Sequence, residues 1–281
     1  MKTKGARGGT APARAAAAKT KGGRGAASGK FEAWINDPGK VMGCVAKYPL
    51  ESMLDEGGGI VKISHFFPDF VAEGILEVLE AIPAKHWNVT EAARDPTSNN
   101  IAHKFWSSKT ATGLEAIFRA IAVLQPGRLN TFSAGKYEKS NHIEPHDDRA
   151  YTDVLVEGNA KIKCSRDIAI IYYLTKDWAA SDGGVLVDIP SQRRYVPEFN
   201  SLIAFRIPRF HEVTAVTAER ARYSIFGWFL TEGILYDLYK GEGADGAGKG
   251  KRGSGIAPLR LRAQAGGWGV VCVRPPYTIA Y

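Results

Sequence analysis

The sequence predicts an α+β domain in which helices pack on an antiparallel β-sandwich or barrel. Three observations lead there. Two stretches with apolar residues at helical spacing lie in the first half of the body. Six short β-rich runs, separated by turn signals, fill the second half. No internal repeat is visible, and helices followed by a run of strands is the order of a segregated α+β arrangement.

The elements follow in chain order. Residues 1–30 are Gly, Ala, Lys, Arg and Thr with almost nothing to bury, so a disordered basic tail is expected. Residues 69–82, DFVAEGILEVLEAI, carry Val71, Ile75, Val78, Leu79 and Ile82 at helical spacing. Asp69 after Pro68 is the expected N-cap and Pro83 the stop. Residues 112–124, TGLEAIFRAIAVL, make a second helix with Leu114, Ile117, Phe118 and Ile121 on one side. Strands are predicted over 128–137, 168–174, 185–189, 201–207, 212–216 and 222–230. The run 98–109, SNNIAHKFWSSK, reads as an ordinary loop or a substrate-covering segment. Residues 241–281 are Gly-rich and basic, and a mostly disordered tail is expected. That leaves one domain over 31–240, with a β core at about 128–232.

Composition narrows the function. The chain of 281 residues is long enough for a real core. No apolar run approaches the roughly 18–20 residues of a membrane span, so no membrane partner is expected. The three cysteines are few and widely spaced, which suggests neither a disulfide framework nor a zinc site and favours a reducing compartment. The net charge of +8 belongs to the ends: residues 1–30 carry +8 and 241–281 carry +4, while 31–240 carry −4. A basic patch built into the fold is therefore not implied. The N-terminal segment has three open readings: a plain solvated tail, an RNA-binding or nuclear-targeting arm, and an organelle transit peptide. The expected location is cytoplasmic or nuclear, with organelle import left open.

The chemistry centres on IEPHDDRAY, residues 143–151. In an extended segment side chains alternate, so His146 and Asp148 share one face and Asp147 points away. Asp147 is the competing carboxylate. His142 reads as an exposed loop residue. Downstream, His211 follows the strand 201–207, and a His-x-Asp with a distant histidine is the composition of a 2-His-1-carboxylate facial triad. Arg222 comes eleven residues after His211, with the turn TAERA between them. The two are expected on neighbouring antiparallel strands facing one pocket. An arginine there can take a carboxylate bidentately, with Ser224 on the same strand face as a further donor.

The pattern HDD…H…R-x-S over roughly residues 60–235 resembles the iron- and 2-oxoglutarate-dependent dioxygenases, and among them the prolyl 4-hydroxylase-like branch. The nearest likeness is to the ribosomal-protein prolyl hydroxylase group, which also shows His-Asp-Asp and a terminal GWF. The resemblance implies a double-stranded β-helix core of the jelly-roll or cupin-like type with supporting N-terminal helices. It implies His146, Asp148 and His211 as Fe(II) ligands. Tyr137, Arg222 and Ser224 would surround 2-oxoglutarate, and Trp228 matches a tryptophan near the family pocket. Fe(II), 2-oxoglutarate and O₂ are the implied cofactors and co-substrates, with ascorbate as an accessory. Departures are Ser140 where the family often has glycine, and a longer segment at 151–166. The ribosomal-protein group also carries a second, degenerate oxygenase domain, for which this chain has no room.

The implied activity is hydroxylation of a C–H bond in a proline-containing protein or peptide, coupled to conversion of 2-oxoglutarate to succinate and CO₂. Two alternatives stay open. One is an oxygenase for a small molecule or nucleobase, with the basic tails recruiting nucleic acid. The other is a non-catalytic β-barrel binding module, which would bind no iron.

Overall fold

The computed structural model describes residues 29–94, 101–155 and 161–238. The expected disordered tails therefore lie outside the described residues, except that Gly29 and Lys30 are helical. So do the nucleic-acid readings that rest on those tails.

Five helices precede or interrupt the first strands: residues 29–35 (α1), Pro38–Val45 (α2), Leu50–Glu56 (α3), Asp69–Glu80 (α4) and Leu114–Ala122 (α5). Twelve strands are described: β1 Ile60–Ile63, β2 Asn88–Ala92, β3 His103–Ser108, β4 Leu129–Tyr137, β5 His142–His146 and β6 Tyr151–Leu155 in the first half. Then come β7 Lys161–Tyr173, β8 Leu186–Asp188, β9 Arg193–Tyr195, β10 Ser201–Arg206, β11 His211–Val213 and β12 Arg222–Glu232. No helix among the described residues is long and apolar enough to cross a membrane.

The strands form one antiparallel path, β1-β10-β7-β12-β4-β3-β5-β11-β8-β9, with β2 on β3 and β6 on β7. The path folds over at β3, which pairs with β4 through Ser107 and Gly135 and with β5 through His103 and Ile143. A major sheet from β1 to β3 thus faces a minor sheet of β5, β11, β8 and β9. Contact across the gap is direct: the rings of Phe205 on β10 and His211 on β11 lie 4.6 Å apart. This is the double-stranded β-helix that the sequence led us to expect.

Period-two alternation divides the major sheet between two cores. On β7 and β12, Ile168, Ile170, Tyr172, Ile225 and Phe229 face the helices, where they meet Leu54, Ile75, Leu79, Leu114, Ile117 and Ile121. Ala169, Tyr173, Phe226 and Trp228 face the interior between the sheets, with Phe105, Tyr137 and Phe205. The helices thus cover the outside of the major sheet and leave its inner face for the site.

Two expectations are corrected here, and a third feature is given its form. Asp69 is the first residue of α4, not its N-cap; Pro68 holds that position, and the Asp69 carboxylate accepts from Asn200 Nδ2 at 2.9 Å. The run 98–109 contains strand β3, which the polar residues around Phe105 and Trp106 obscured; residues 98–100 lie outside the described residues. The described residues of the long segment 151–166 are β6 and the first part of β7, paired from Tyr151 and Ser165 to Leu155 and Lys161.

One buried polar residue joins the helical layer to the sheet. Asn200 has no exposure and φ of 61°. Its Oδ1 accepts from Phe67 N at 3.2 Å and Tyr172 OH at 2.8 Å, while Nδ2 donates to Phe67 O at 2.8 Å. Asn200→Ala strips partners from several buried groups and places a Cβ-bearing residue without a local hydrogen bond in the left-handed region. We expect it to cost about 4 kcal/mol in urea unfolding. Asn200→Gly should cost about 1 kcal/mol less, because only the backbone penalty is relieved. A loss under about 1 kcal/mol for Asn200→Ala would show that this network does not hold the layers together.

Candidate metal and 2-oxoglutarate site

Local pairing assembles the centre. His146 ends β5 and His211 begins β11, and the two are directly opposite in the antiparallel register. Their rings lie 4.1 Å apart, centroid to centroid. Asp148 follows β5 by two residues and has φ of 61°. It therefore reaches the histidines through a left-handed turn rather than by strand alternation, which corrects the geometric expectation while keeping the residue. Ligand atoms of His146, Asp148 and His211 all fall within 4.8 Å of one another, and all three residues are buried. The Asp148 carboxylate lies 3.4 Å from His146 Nε2 and 3.7 Å from His211 Nε2.

Each imidazole is oriented from behind. His146 Nδ1 meets the Glu144 carbonyl at 2.8 Å and His211 Nδ1 meets the Arg209 carbonyl at 2.8 Å. A carbonyl can only accept, so Nδ1 carries the proton and Nε2 presents its lone pair to the centre. Asp147 turns the other way: its carboxylate takes Arg149 Nε at 2.7 Å and Arg149 N at 3.1 Å. His142 begins β5, half-buried, with Nδ1 at 3.0 Å from Ser140 O, and takes no place in the triad.

Burial alone would raise the Asp148 carboxyl, but its contacts with the two imidazoles and the charge of Arg166 outweigh that and hold it well below the usual carboxylate range. Burial, reinforced by His146, pushes the His211 imidazole down to about 4. An anionic carboxylate and a neutral imidazole are the forms a divalent metal needs.

The His211 shift sets a pH dependence in the metal-free protein. An imidazole that titrates near 4 when folded and near 6.5 when unfolded leaves the unfolded chain holding the extra proton between those values. Its contribution is present above about pH 6.5 and is lost as pH falls toward 4, by up to about 3 kcal/mol. Urea unfolding at about pH 7.5 and about pH 5 should show a larger loss in wild type than in His211→Leu, by about 2 kcal/mol. Equal losses would mean that His211 is not desolvated as described.

The centre lies in a cavity of about 680 Å³ whose wall also includes Tyr137, Arg166, Tyr173, Arg222, Ser224 and Trp228. The Arg222 side chain is 2% exposed. Its Nη1 donates to Gly184 O at 2.7 Å, and its guanidinium carbon lies 4.1 Å over the Tyr137 ring. Gly183 lets this wall close, since a Cβ there would fall 2.0 Å from Ala215 O and its φ is 71°. Tyr137 lies opposite Arg222 in the β4–β12 register and stacks on Phe105 at 5.2 Å. Ser224 is buried on the same face as Arg222, as alternation requires. The expected pairing of His211 and Arg222 on adjacent strands is corrected. β11 pairs with β5 and β8 in the minor sheet, whereas β12 pairs with β4 and β7 in the major sheet. The turn between them crosses from one sheet to the other, and both side chains line one cavity because the sheets face each other.

The donor set fits a carboxylate at this end. Arg222 Nε and the Tyr173 hydroxyl are buried with no hydrogen-bond partner. Burial raises the Tyr173 and Tyr137 phenols, so both stay protonated donors. Two orphaned donors, one of them cationic, call for an anionic acceptor.

Two residues of the site carried no sequence signal beyond strand alternation. Tyr173 faces inward opposite Ser224. Arg166 sits with its guanidinium carbon 3.5 Å over the Trp228 ring, and its Nη1 lies 3.8 Å from Asp148 Oδ1. Trp228, expected only near the pocket, touches the centre itself through Nε1, which donates to Asp148 Oδ2 at 3.0 Å. That bond holds the carboxylate in place.

Residues 132–230 match the family model described as the 2OG-Fe(II) oxygenase superfamily. The chain is 35% identical over 92 residues to a Xenopus laevis prolyl 3-hydroxylase, OGFOD1, covering 28% of this chain and 18% of that protein. It is 34% identical over 117 residues to an Ostreococcus tauri prolyl 3,4-dihydroxylase, OGFOD1, covering 36% of this chain and 20% of that protein. The chain thus spans about one fifth of the length of these curated relatives. Among solved structures it is similar to a Trichoplax adhaerens prolyl hydroxylase in complex with a hypoxia-inducible-factor peptide fragment. That match has a TM-score of 0.48 and 16% identity, covering 75% of this chain and 93% of that one. A Pseudomonas putida prolyl-4-hydroxylase matches with a TM-score of 0.46 and 20% identity, covering 65% of this chain and 98% of that one.

Proposed function

We propose that this chain, whose residues 132–230 form a 2OG-Fe(II) oxygenase domain, is an Fe(II)- and 2-oxoglutarate-dependent dioxygenase that hydroxylates a prolyl residue of a protein or peptide. The observation that carries the reading is the convergence of two complementary sites in one cavity: the His146, Asp148 and His211 ligand atoms, and the orphaned donors of Arg222 and Tyr173. A molecule with a metal-chelating end and a distal carboxylate satisfies both.

His146, Asp148 and His211 would hold Fe(II) on one face and leave the opposite positions open. Arg222 and Tyr173 would take the far carboxylate of 2-oxoglutarate, with Tyr137 as the platform under the guanidinium. The bound iron supplies O₂ activation coupled to decarboxylation of 2-oxoglutarate. Trp228 Nε1 donates to Asp148 Oδ2 and would leave Oδ1 as the freer oxygen for the metal. Arg166, whose Nε is buried and unpaired, lines the cavity beside Asp148 and offers a donor for a carbonyl of a bound peptide. The similarity to OGFOD1 prolyl hydroxylases supports a prolyl substrate.

The test is anaerobic titration with Fe(II) and 2-oxoglutarate, then admission of air in the presence of a panel of proline-containing peptides, small molecules and nucleobases. Succinate release with gain of one oxygen atom on a prolyl peptide is the expected result. Oxidation of a small molecule or nucleobase alone would replace the prolyl reading, and absence of metal binding would leave a non-catalytic module.

A further inference from the structure

Both triad imidazoles donate Nδ1–H to the carbonyl two residues earlier, but the two carbonyls are anchored differently. That of Glu144 belongs to a residue whose carboxylate takes Ala102 N at 2.9 Å and lies 3.7 Å from Arg94, with the side chain 25% exposed. That of Arg209 is fastened in the interior. Arg209 Nε meets Asp188 Oδ1 at 2.6 Å and Nη2 meets Oδ2 at 2.8 Å, a bidentate fork on a carboxylate with no exposure. The Ser191 hydroxyl also donates to Asp188. Arg209 Nη1 donates to Gly58 O at 2.9 Å, in the turn between α3 and β1. The Arg209 backbone N reaches Asp147 O at 3.4 Å, in the segment between the two ligands of the first motif. Asp188 itself stands opposite His211 in the β8–β11 register.

Arg209 therefore ties together β8, the α3–β1 turn, the His146–Asp148 segment and the His211 imidazole. A buried ion pair is seldom a gain in stability over an apolar pair of similar volume. What this pair supplies is direction: it holds the Arg209 carbonyl, and that carbonyl selects the His211 tautomer and the angle of its Nε2.

We propose that Asp188 and Arg209 are positioning residues for the metal centre, acting on metal affinity through the Arg209 carbonyl and His211. The proposal rests on His211 being a metal ligand. Loss of such an outer partner weakens metal binding by about 10- to 100-fold.

The experiment is Co(II) titration of the metal-free full chain, read by calorimetry and by the Co(II) ligand-field spectrum. It compares wild type, Asp188→Asn, Arg209→Lys and the double variant Asp188→Asn/Arg209→Gln. Asn200→Gly serves as a control destabilised outside the proposed ligand set, in the network of Phe67 and Tyr172. We expect Asp188→Asn to raise the Co(II) Kd by about 10- to 100-fold and to alter the spectrum while the protein remains folded. Arg209→Lys keeps the charge but not the fork, and should fall between it and wild type. The control should keep the wild-type Kd and spectrum. Should Asp188→Asn not fold, Arg209→Lys and the neutral double variant decide the matter by the same readouts. A Kd within about twofold of wild type and an unchanged spectrum in the folded variants would overturn the proposal and leave the pair as a brace for β8. Absence of Co(II) binding in wild type would instead overturn the oxygenase reading, and this proposal with it.

Discussion

Arg222→Ala should abolish 2-oxoglutarate turnover while leaving metal binding intact. Arg222 is 2% exposed, lies over the Tyr137 ring and keeps Nε unpaired beside the orphaned Tyr173 hydroxyl. Removing it leaves the carboxylate of the co-substrate buried against a neutral wall. Breaking a buried charge pair from one side costs about 3–5 kcal/mol, which is at least a hundredfold in affinity. Calorimetric titration of the Co(II)-loaded protein with 2-oxoglutarate reads that loss directly. Arg222→Lys should recover only part of it, because an ammonium cannot reproduce the guanidinium fork. Tyr173→Phe removes one neutral donor and should cost about 1–2 kcal/mol, or about tenfold. Wild-type affinity in Arg222→Ala would place the carboxylate elsewhere and dismantle the site as described.

The second large effect separates the two adjacent aspartates. Asp148→Ala removes the carboxylate of the proposed triad and should lower Co(II) affinity by at least about a hundredfold, with no succinate formed on admitting air. Asp147→Ala should keep the metal with at most about a tenfold loss, while costing about 1–3 kcal/mol in unfolding. The reason is that Asp147 serves Arg149, which in turn donates Nη1 to Asp237 O at 3.0 Å. Its work is to hold the loop. If Asp147→Ala instead lost the metal and Asp148→Ala retained it, the assignment of the carboxylate ligand would be reversed.

The site also shows how far strand alternation can carry an inference. It correctly placed Arg222 and Ser224 on one face of β12, because regular strand geometry holds there over the whole pairing with β4. It led to Asp148 by a path the backbone does not take, because β5 has already ended there and the backbone has turned left-handed, which still brings the carboxylate beside His146 and His211. For Trp228 only the family resemblance pointed to the pocket, and it did not indicate that the indole N–H would meet Asp148.

What the sequence determined by itself was the class of elements and the residue types, His146, Asp148, His211 and Arg222, that the fold brings to one cavity. Helical and β periodicities are local, and a His-x-Asp with a distant histidine and arginine is legible as a set of residue types at set spacings. What only the tertiary structure decided was which sheet each strand joins and what stands behind each ligand. His211 and Arg222 are separated by a short turn yet belong to different sheets, and Arg166, Tyr173, Asp188 and Arg209 come from strands and loops distant in sequence. Their roles depend on partners brought together by the pairing of β7, β8, β10, β11 and β12. Pairing of strands far apart in the chain is settled by burial of the whole sheet, and no short stretch of sequence carries that information.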